Sequence, residues 1–241
     1  SLDLLGSIAY LKSDYVSAAA FFWQSMEIWQ GLEDRAGIAQ VYYDLSTVAM
    51  SKGEYDQARG YCEQSLTIYQ ALNDLRNVAR SRKILAAVAM HQGKLDEASV
   101  HYHEGVAVGR EIGDQNGTAT SLHGLALVAR KQGDYEQALS YYQQTLEILR
   151  ALGSQRNIAL TLNNLGILSL AQGYPEQALE YLFQSLQIKQ ALGDQSGVAY
   201  CYINLGRAKH ALGDFAQGLD YFARSMSMLQ KIGDQVGIAC S

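Results

Sequence analysis

Two histidines, His101 and His103, are the nearest approach to a metal-ligand pair in this sequence. Side chains two residues apart on a helix point in different directions, so the two rings would not share one ion. Tyrosines occupy positions 61 and 141, forty residues to either side of His101. We therefore predict that His101 lies at the edge of a core and is not a metal ligand.

Catalytic motifs are missing from the rest of the chain. The sequence has no glycine-rich phosphate loop, no Gly-x-Ser-x-Gly and no His-Glu-x-x-His. Its Asp and Glu residues fall mostly where turns and helix caps are expected, and solvation and the helix dipole account for carboxylates there. The prediction is a protein that is not an enzyme, with no catalytic residue, no cofactor site and no metal site.

The three cysteines, Cys62, Cys201 and Cys240, have neither metal-ligand nor disulfide-framework spacing. Residues forty positions before and after Cys62 are Phe22 and Tyr102, both large and apolar. This pattern predicts that Cys62 is a buried free thiol that packs as a small hydrophobe. Free thiols are typical of a reducing compartment, which predicts a cytoplasmic protein.

Composition excludes several classes of protein. Hydrophobic residues make up 48% of the 241 residues and charged residues 18%, which argues against disorder. The net charge is −5 and no block of Lys or Arg stands out, so no nucleic-acid partner is predicted. The apolar runs are too short to span a bilayer, so no membrane partner is predicted. One proline among 22 glycines is typical of a helical chain with glycine turns.

A period of 40 residues runs through the whole sequence. One recurring position holds Leu5, Leu45, Leu85, Leu125, Leu165 and Leu205, and the next holds Gly6, Ser46, Ala86, Ala126, Gly166 and Gly206. The period predicts a single array of six repeats. Their approximate bounds are 1–33, 34–73, 74–113, 114–153, 154–193 and 194–233, and 234–241 is predicted to open a seventh.

Each repeat is predicted to contain two helices, and no alternating strand pattern occurs. In the last repeat these helices run near Gln195–Leu212 and Phe215–Ile232. Gly213 supplies the left-handed residue that ends the first helix, and Asp214 caps the second. Loops this short make neighbouring helices antiparallel. A glycine inside a helix, such as Gly166, predicts close packing of backbones at that point.

The second helix of the last repeat is predicted to have one apolar face. That face carries Leu219, Phe222, Met226 and Leu229.

The pattern of Leu125-Ala126, then Gly133-Asp134-Tyr135, Ala138 and Tyr141-Tyr142 resembles the tetratricopeptide repeat, and the resemblance covers the whole chain. Two features depart from the common form of ~34 residues. The period is longer, and the proline that closes the second helix is replaced by glutamine. In both features the chain is similar to the long repeats of kinesin light chains and Pins-type scaffolds. The junction Leu192–Ala199 also resembles bacterial regulators that carry such arrays behind nucleotide-switch domains.

The resemblance implies an all-α, superhelical solenoid of antiparallel helix pairs, with a concave groove lined by the first helix of each pair. Carried onto this sequence, the groove residues include Tyr43, Arg80, Lys83, His123, Arg130, Asn163, Asn164, Tyr200, Asn204 and Arg207. The full selection holds five Arg or Lys residues, three His residues and no carboxylate. We therefore hypothesise that the groove binds an acidic peptide, with asparagines clamping the peptide backbone. The alternative is a solvated inner face whose charges only keep the protein soluble.

Two functions follow from the resemblance. The first is a protein interaction scaffold in signalling that binds an acidic protein or peptide partner. The second is an effector-sensing arm of a larger bacterial transcription regulator with a nucleotide switch. Because neither end of the array has an obvious polar cap, self-association through the ends is also expected.

Overall fold

Glycines and aspartates in the short loops divide the chain into helices at the predicted places. The computed structural model describes residues 1–233, and all of the regular structure in this range is helical. The chain forms two compact units, the first from Ser1 to Gln132 and the second from Gly133 onward. The residues predicted to open a seventh repeat, and Cys240, lie outside the described range.

The first unit contains seven helices within residues 1–132. They are α1 Leu2–Leu11, α2 Tyr15–Gly31, α3 Arg35–Lys52, α4 Tyr55–Ala71, α5 Leu75–His91, α6 Leu95–Glu111 and α7 Gln115–Gln132. Each helix packs against the next along the chain. The odd-numbered helices, which we call A helices, also contact one another from α3 to α5 and from α5 to α7.

The second unit contains five helices in its described part. They are α8 Tyr135–Ala151, α9 Gln155–Ala171, α10 Pro175–Ala191, α11 Gln195–Ala211 and α12 Phe215–Ile232. Here too each helix packs on the next, and the A helices α9 and α11 touch. The all-α prediction and the sequential packing of antiparallel helices are confirmed. Assignment of all six repeats to a single array stays a prediction.

Local signals in the last repeat act as the sequence predicts. Gly213 has a φ of 79°, in the left-handed region. The Asp214 carboxylate accepts a hydrogen bond of 3.2 Å from the backbone N–H of Gln217 and so caps α12. The apolar face predicted for α12 is only partly buried, because Leu229 is buried whereas Leu219 and Met226 are exposed.

Close packing at the recurring small residue is confirmed. A Cβ atom added to Gly166 would lie 2.6 Å from Cγ of Leu182 on the following helix. The same atom on Gly6 or Gly206 would lie 2.6 Å from a phenylalanine ring. Glycine is therefore needed at these places because the neighbouring side chain fills the space of a methyl group.

The loops between repeats offer a test of backbone strain. The equivalents of Glu33 in later repeats include Gly113, Gly153 and Gly193, which all have positive φ. Glu33 also has a positive φ, of 55°, although it is not a glycine. A left-handed conformation costs a residue with a Cβ about 1 kcal/mol. We expect Glu33→Gly to raise the free energy of unfolding by up to about 1 kcal/mol, measured by thermal denaturation.

Asn73, which adopts the same φ of 55°, provides the control. Asparagine tolerates this region better than glutamate, so Asn73→Gly should give a smaller gain. A larger gain at position 73 than at position 33 would contradict this explanation.

Candidate functional site

The predicted groove residues lie on the A helices and are described separately for each unit. In the first unit, α3 contributes Tyr43, α5 contributes Arg80 and Lys83, and α7 contributes His123 and Arg130. In the second unit, α9 contributes Asn163 and Asn164, and α11 contributes Tyr200, Asn204 and Arg207. We call these two surfaces the helix A face of each unit.

Arg80 is held in place by its own neighbours. Its guanidinium lies over the ring of Tyr43, with Cζ 4.3 Å from the ring centre. Its Nη1 donates a hydrogen bond of 2.7 Å to Oδ1 of Asn77. Burial raises the pKa of Tyr43, and the positive charge of Arg80 partly opposes that rise. Arg80 thus joins α3 to α5 and is fixed before any ligand arrives.

Two carboxylates, which are not among the predicted groove residues, belong to the same face. Asp44 lies one residue beyond Tyr43, in the recurring position that holds Asn164 and Asn204 in the second unit. Asp3 occupies the recurring position of Tyr43 and Lys83, and its carboxylate accepts a hydrogen bond from Ser25. The 40-residue alignment alone would have identified both. The face of the first unit is therefore less basic than predicted.

Asp44 has an unusual electrostatic environment. Its carboxylate accepts a hydrogen bond of 3.0 Å from Nε2 of Gln40. Burial raises its pKa to about 6, although the Gln40 hydrogen bond and the charge of Arg80 oppose the rise. Removal from water penalises the charged form of a carboxyl group more than these two neighbours compensate.

Lys83 has fewer compensating contacts than Arg80. Burial and the nearby Arg80 lower its pKa, while the charge of Asp114 opposes this shift. Among residues 1–233, no carboxylate lies within ion-pair distance of its ammonium group. Lys83 is thus a partly desolvated cation on the helix A face of the first unit.

His123 does not contribute the positive charge that was predicted for it. Burial lowers its pKa to about 4, so the imidazole is neutral at neutral pH. The ring is partly buried and, because it is neutral, it cannot form an ion pair with a ligand. Arg130, in the last turn of α7, is also partly buried. The cationic part of this face therefore consists of Arg80, Lys83 and Arg130.

In the second unit the predicted asparagines meet. Nδ2 of Asn204 donates a hydrogen bond of 3.1 Å to Oδ1 of Asn163. The same oxygen accepts a weaker bond of 3.5 Å from the thiol of Cys201. Both asparagine side chains are 8% exposed. They form a buried amide pair that joins α9 to α11, which the sequence did not predict.

The remaining predicted residues of this unit are more accessible. Tyr200 and Arg207 are exposed on α11, and Asn164 is partly buried on α9. This face is therefore built from amides, with one cation at its margin.

His101, the residue nearest to a metal-ligand pair in the sequence, has a structural position. His101 is partly buried beside Glu97 and Glu104, and its Nδ1 lies 3.2 Å from Nη1 of Arg82. Its place at a core edge is therefore as predicted. Among residues 1–233, no three His, Cys, Asp or Glu side chains are grouped so as to hold a metal ion.

Cys62 is a buried free thiol, which confirms the prediction. Burial raises its pKa to about 12, so it stays protonated. None of the described helices has the length and apolar character needed to cross a membrane.

A family comparison agrees with the helix pairs and the recurring small residues. The family described as "Tetratricopeptide repeat" matches residues 1–71, 74–151 and 157–231. The chain belongs to the tetratricopeptide repeat family. Curated protein sequences give no significant match.

Several solved structures resemble the chain along most of its length. BtubC (BKLC) from P. vanneervenii is 22% identical, with a TM-score of 0.79 over 90% of this chain and 91% of that one. RapI is 15% identical, with a TM-score of 0.76 over 96% and 97% of the two chains. A Rap protein complexed with Competence and Sporulation Factor is 14% identical, with a TM-score of 0.75 over 99% and 71%. At these identities the similarity concerns the fold.

Proposed function

We propose that this chain is a non-enzymatic protein interaction module in which the helix A face of each unit binds a peptide segment of an acidic partner. The observation that carries this proposal is Lys83, a partly desolvated ammonium group with no ion pair among the described residues. Two further observations support it. The chain belongs to the tetratricopeptide repeat family. One structural relative was solved as a Rap protein complexed with Competence and Sporulation Factor, and another as a Rap regulator in complex with the Phr* peptide.

In the first unit, the cations have different roles. Lys83 and Arg130 supply the charges that pair with carboxylates of the partner, because neither has an ion pair within residues 1–132. Arg80 is a positioning residue, since Tyr43 and Asn77 already hold its guanidinium. Asp44, ionised above pH 6, disfavours an acidic group beside α3. The acidic residues of the partner are therefore expected to lie near α5 and α7.

In the second unit, recognition of the peptide backbone is proposed. Asn163 uses its carbonyl oxygen within the amide pair, and Asn204 uses its amide nitrogen. An amide side chain has both donors and an acceptor, so the N–H groups of Asn163 and the carbonyl oxygen of Asn204 complement a peptide group. Asn164 extends the same surface, Tyr200 adds aromatic contact area, and Arg207 adds an exposed charge.

Charge reversal at Lys83 tests the proposal. Binding partners would be selected from a random-peptide display library on the wild-type chain, and their affinities measured by fluorescence anisotropy. The selected peptides should be enriched in Asp and Glu. Lys83→Glu should weaken their binding at least about tenfold, because a charge-assisted hydrogen bond is lost and a repulsion added.

Lys94→Glu is the matched control, because Lys94 is exposed in the loop before α6 and outside the helix A face. It changes the net charge equally and should leave the affinity within about twofold. Equal losses for the two variants would indicate a nonspecific charge effect. Selected peptides without acidic enrichment would favour the solvated inner face that serves only solubility.

The sensing arm of a bacterial regulator stays an alternative prediction. Its effector would occupy the same helix A face, so both functions require those residues. The two functions differ in the domains expected beside this chain. A nucleotide-switch domain in the same reading frame would favour the sensor. A cytoplasmic scaffold in signalling is our preferred setting, supported by the buried free thiols of Cys62 and Cys201.

A further inference from the structure

We infer that Lys189 of α10 is a carboxylate-binding residue of the second unit, and that it pairs with an Asp or Glu side chain of the peptide bound there. This role depends on the proposed binding of an acidic peptide to the helix A face. It adds a second cation to a face that is otherwise built from amides, with Arg207 at its margin. The repeat resemblance assigns groove residues only to the first helix of each pair, so Lys189 is not among them.

Lys189 is a buried cation at a recurring position that holds apolar residues in the neighbouring repeats. It is only 8% exposed. Its equivalents forty residues before and after are Leu149 and Leu229, which are both buried. Lysine is rarely buried to this extent without an anionic partner, because the loss of hydration penalises its charge. Leucine satisfies the packing at this position, so the charge of Lys189 serves something other than the core.

The ammonium group of Lys189 has no counter-charge within the described residues. Its Nζ donates one hydrogen bond, of 3.3 Å, to the backbone carbonyl oxygen of Gly197. No carboxylate in residues 1–233 lies within ion-pair distance of it. The nearby carboxylate of Asp194 caps α11 instead, where its Oδ1 accepts a bond of 2.9 Å from the N–H of Gly197. An ammonium group has three donors, so a carboxylate of a partner would supply both the missing charge and further acceptors.

Gly197 allows the side chain of Lys189 to lie against the first turn of α11. A Cβ atom added to Gly197 would lie 2.9 Å from Cδ of Lys189, which is closer than packed carbon atoms approach. Tyr200 follows Gly197 by three residues and therefore lies on the same side of α11. Tyr200 belongs to the helix A face and is 37% exposed. The ammonium group thus lies on the side of α11 that carries the aromatic residue of this face.

The first unit shows where a side chain at this recurring position leads. Tyr69 is the equivalent of Lys189, and its hydroxyl donates a hydrogen bond of 3.2 Å to Oε1 of Gln40 on the preceding A helix. The equivalent of Gln40 in the second unit is Leu160, which is 47% exposed on α9. Side chains at this position therefore extend from the second helix of a pair to the helix A face. An acidic side chain that enters between Leu160 and Tyr200 would meet the ammonium group of Lys189.

Replacing Lys189 with leucine, the residue at both equivalent positions, tests this role. Peptides would be selected from a random display library on the full Lys83→Glu chain, because that substitution impairs the face of the first unit only. They would be synthesised with amidated C-termini, so that only side chains carry carboxylates. Adding Lys189→Leu to this chain should weaken their binding about tenfold in fluorescence anisotropy, because a charge-assisted hydrogen bond is lost.

Arg150→Leu is the matched control, since Arg150 is exposed on α8, outside the helix A face. It removes an equal charge and introduces the same residue, and it should leave the affinity within about twofold. The midpoint of thermal unfolding of Lys189→Leu should be at or above that of the parent chain, because the variant no longer buries a charge. Weaker binding with undiminished stability is what a binding residue predicts.

Replacing each acidic residue of a selected peptide by its amide identifies the carboxylate that Lys189 binds. One such replacement should cost affinity with the parent chain and nothing with Lys189→Leu, as expected for a direct pair. Additive losses at every acidic position would overturn the role of Lys189, as would unchanged binding by Lys189→Leu or a selection without acidic peptides. The first unit is judged separately, because its test uses Lys83→Glu and peptides selected on the wild-type chain.

Discussion

Replacing Asp44 with asparagine is expected to raise the free energy of unfolding of the first unit by about 2–3 kcal/mol at pH 7. The pKa of Asp44 is raised to about 6 by burial, from an ordinary value of 3.8. At pH 7 the carboxyl group is ionised in both the folded and the unfolded chain, and only the folded chain has lost its hydration. Asparagine removes that cost, and Asn164 and Asn204 already occupy this recurring position in the second unit.

The effect has a defined pH dependence. Because the folded pKa is the higher one, the folded chain binds more protons than the unfolded chain between these two pKa values. Stability of the wild type therefore falls as the pH rises from about 4 to about 6, and then stays level with respect to this group. The asparagine side chain of the variant has no proton to lose. The gain from Asp44→Asn should vanish near pH 4 and be complete above pH 6.

Urea denaturation followed by tryptophan fluorescence provides the measurement, because Trp23 and Trp29 both lie in the first unit. Glu27→Gln is the matched control, since it neutralises a solvent-exposed carboxylate on α2. It should give no comparable gain at any pH. A stabilisation by Asp44→Asn that is equally large at pH 4 would contradict the burial of this charge.

Two glycine-to-alanine substitutions in the first unit are expected to act in opposite directions. A Cβ atom on Gly124 would lie 2.3 Å from Cζ of Tyr102, within the ring of that tyrosine. Gly124→Ala should therefore lower the free energy of unfolding by about 2–3 kcal/mol, because the ring and α7 must move apart. The same substitution at Gly60, inside α4, meets nothing within 4 Å. Gly60→Ala should raise stability by about 0.5–1 kcal/mol through helix propensity.

The same tryptophan-monitored denaturation measures both variants. Truncating the obstructing ring supplies an internal test, because Tyr102→Ala should cost less in the Gly124→Ala background than in the wild type. Additive effects of these two substitutions would mean that the added methyl group and the ring do not collide. A loss of stability with Gly60→Ala would contradict the open space found at that position.

The recurring positions in the sequence were sufficient to predict the helices and their packing. Gly213 and Asp214 act locally, through backbone conformation and a cap, so their effect does not depend on distant residues. The side chain of Leu182 over Gly166 was predictable for a related reason, since a recurring small residue indicates close contact. Such signals are encoded within one repeat.

Other features depend on neighbours that a recurring position does not specify. Leu5 and Leu45 are the same residue in the same recurring position, yet one is exposed and the other is buried, because α2 packs against Leu45. His123 was counted as basic, but burial keeps its imidazole neutral. The hydrogen bond between Asn163 and Asn204 also required knowledge of how far α9 lies from α11.

Photo-crosslinking is the most direct test that the helix A face binds peptides. A photoreactive benzoylphenylalanine would replace Leu127, a partly buried residue of α7 one turn from His123. The same residue at Val100, exposed on α6, would serve as the control position. With a labelled acidic peptide from the display selection, we predict a crosslink from position 127 that excess unlabelled peptide abolishes, and none from position 100. Crosslinking from position 100 alone would contradict the account.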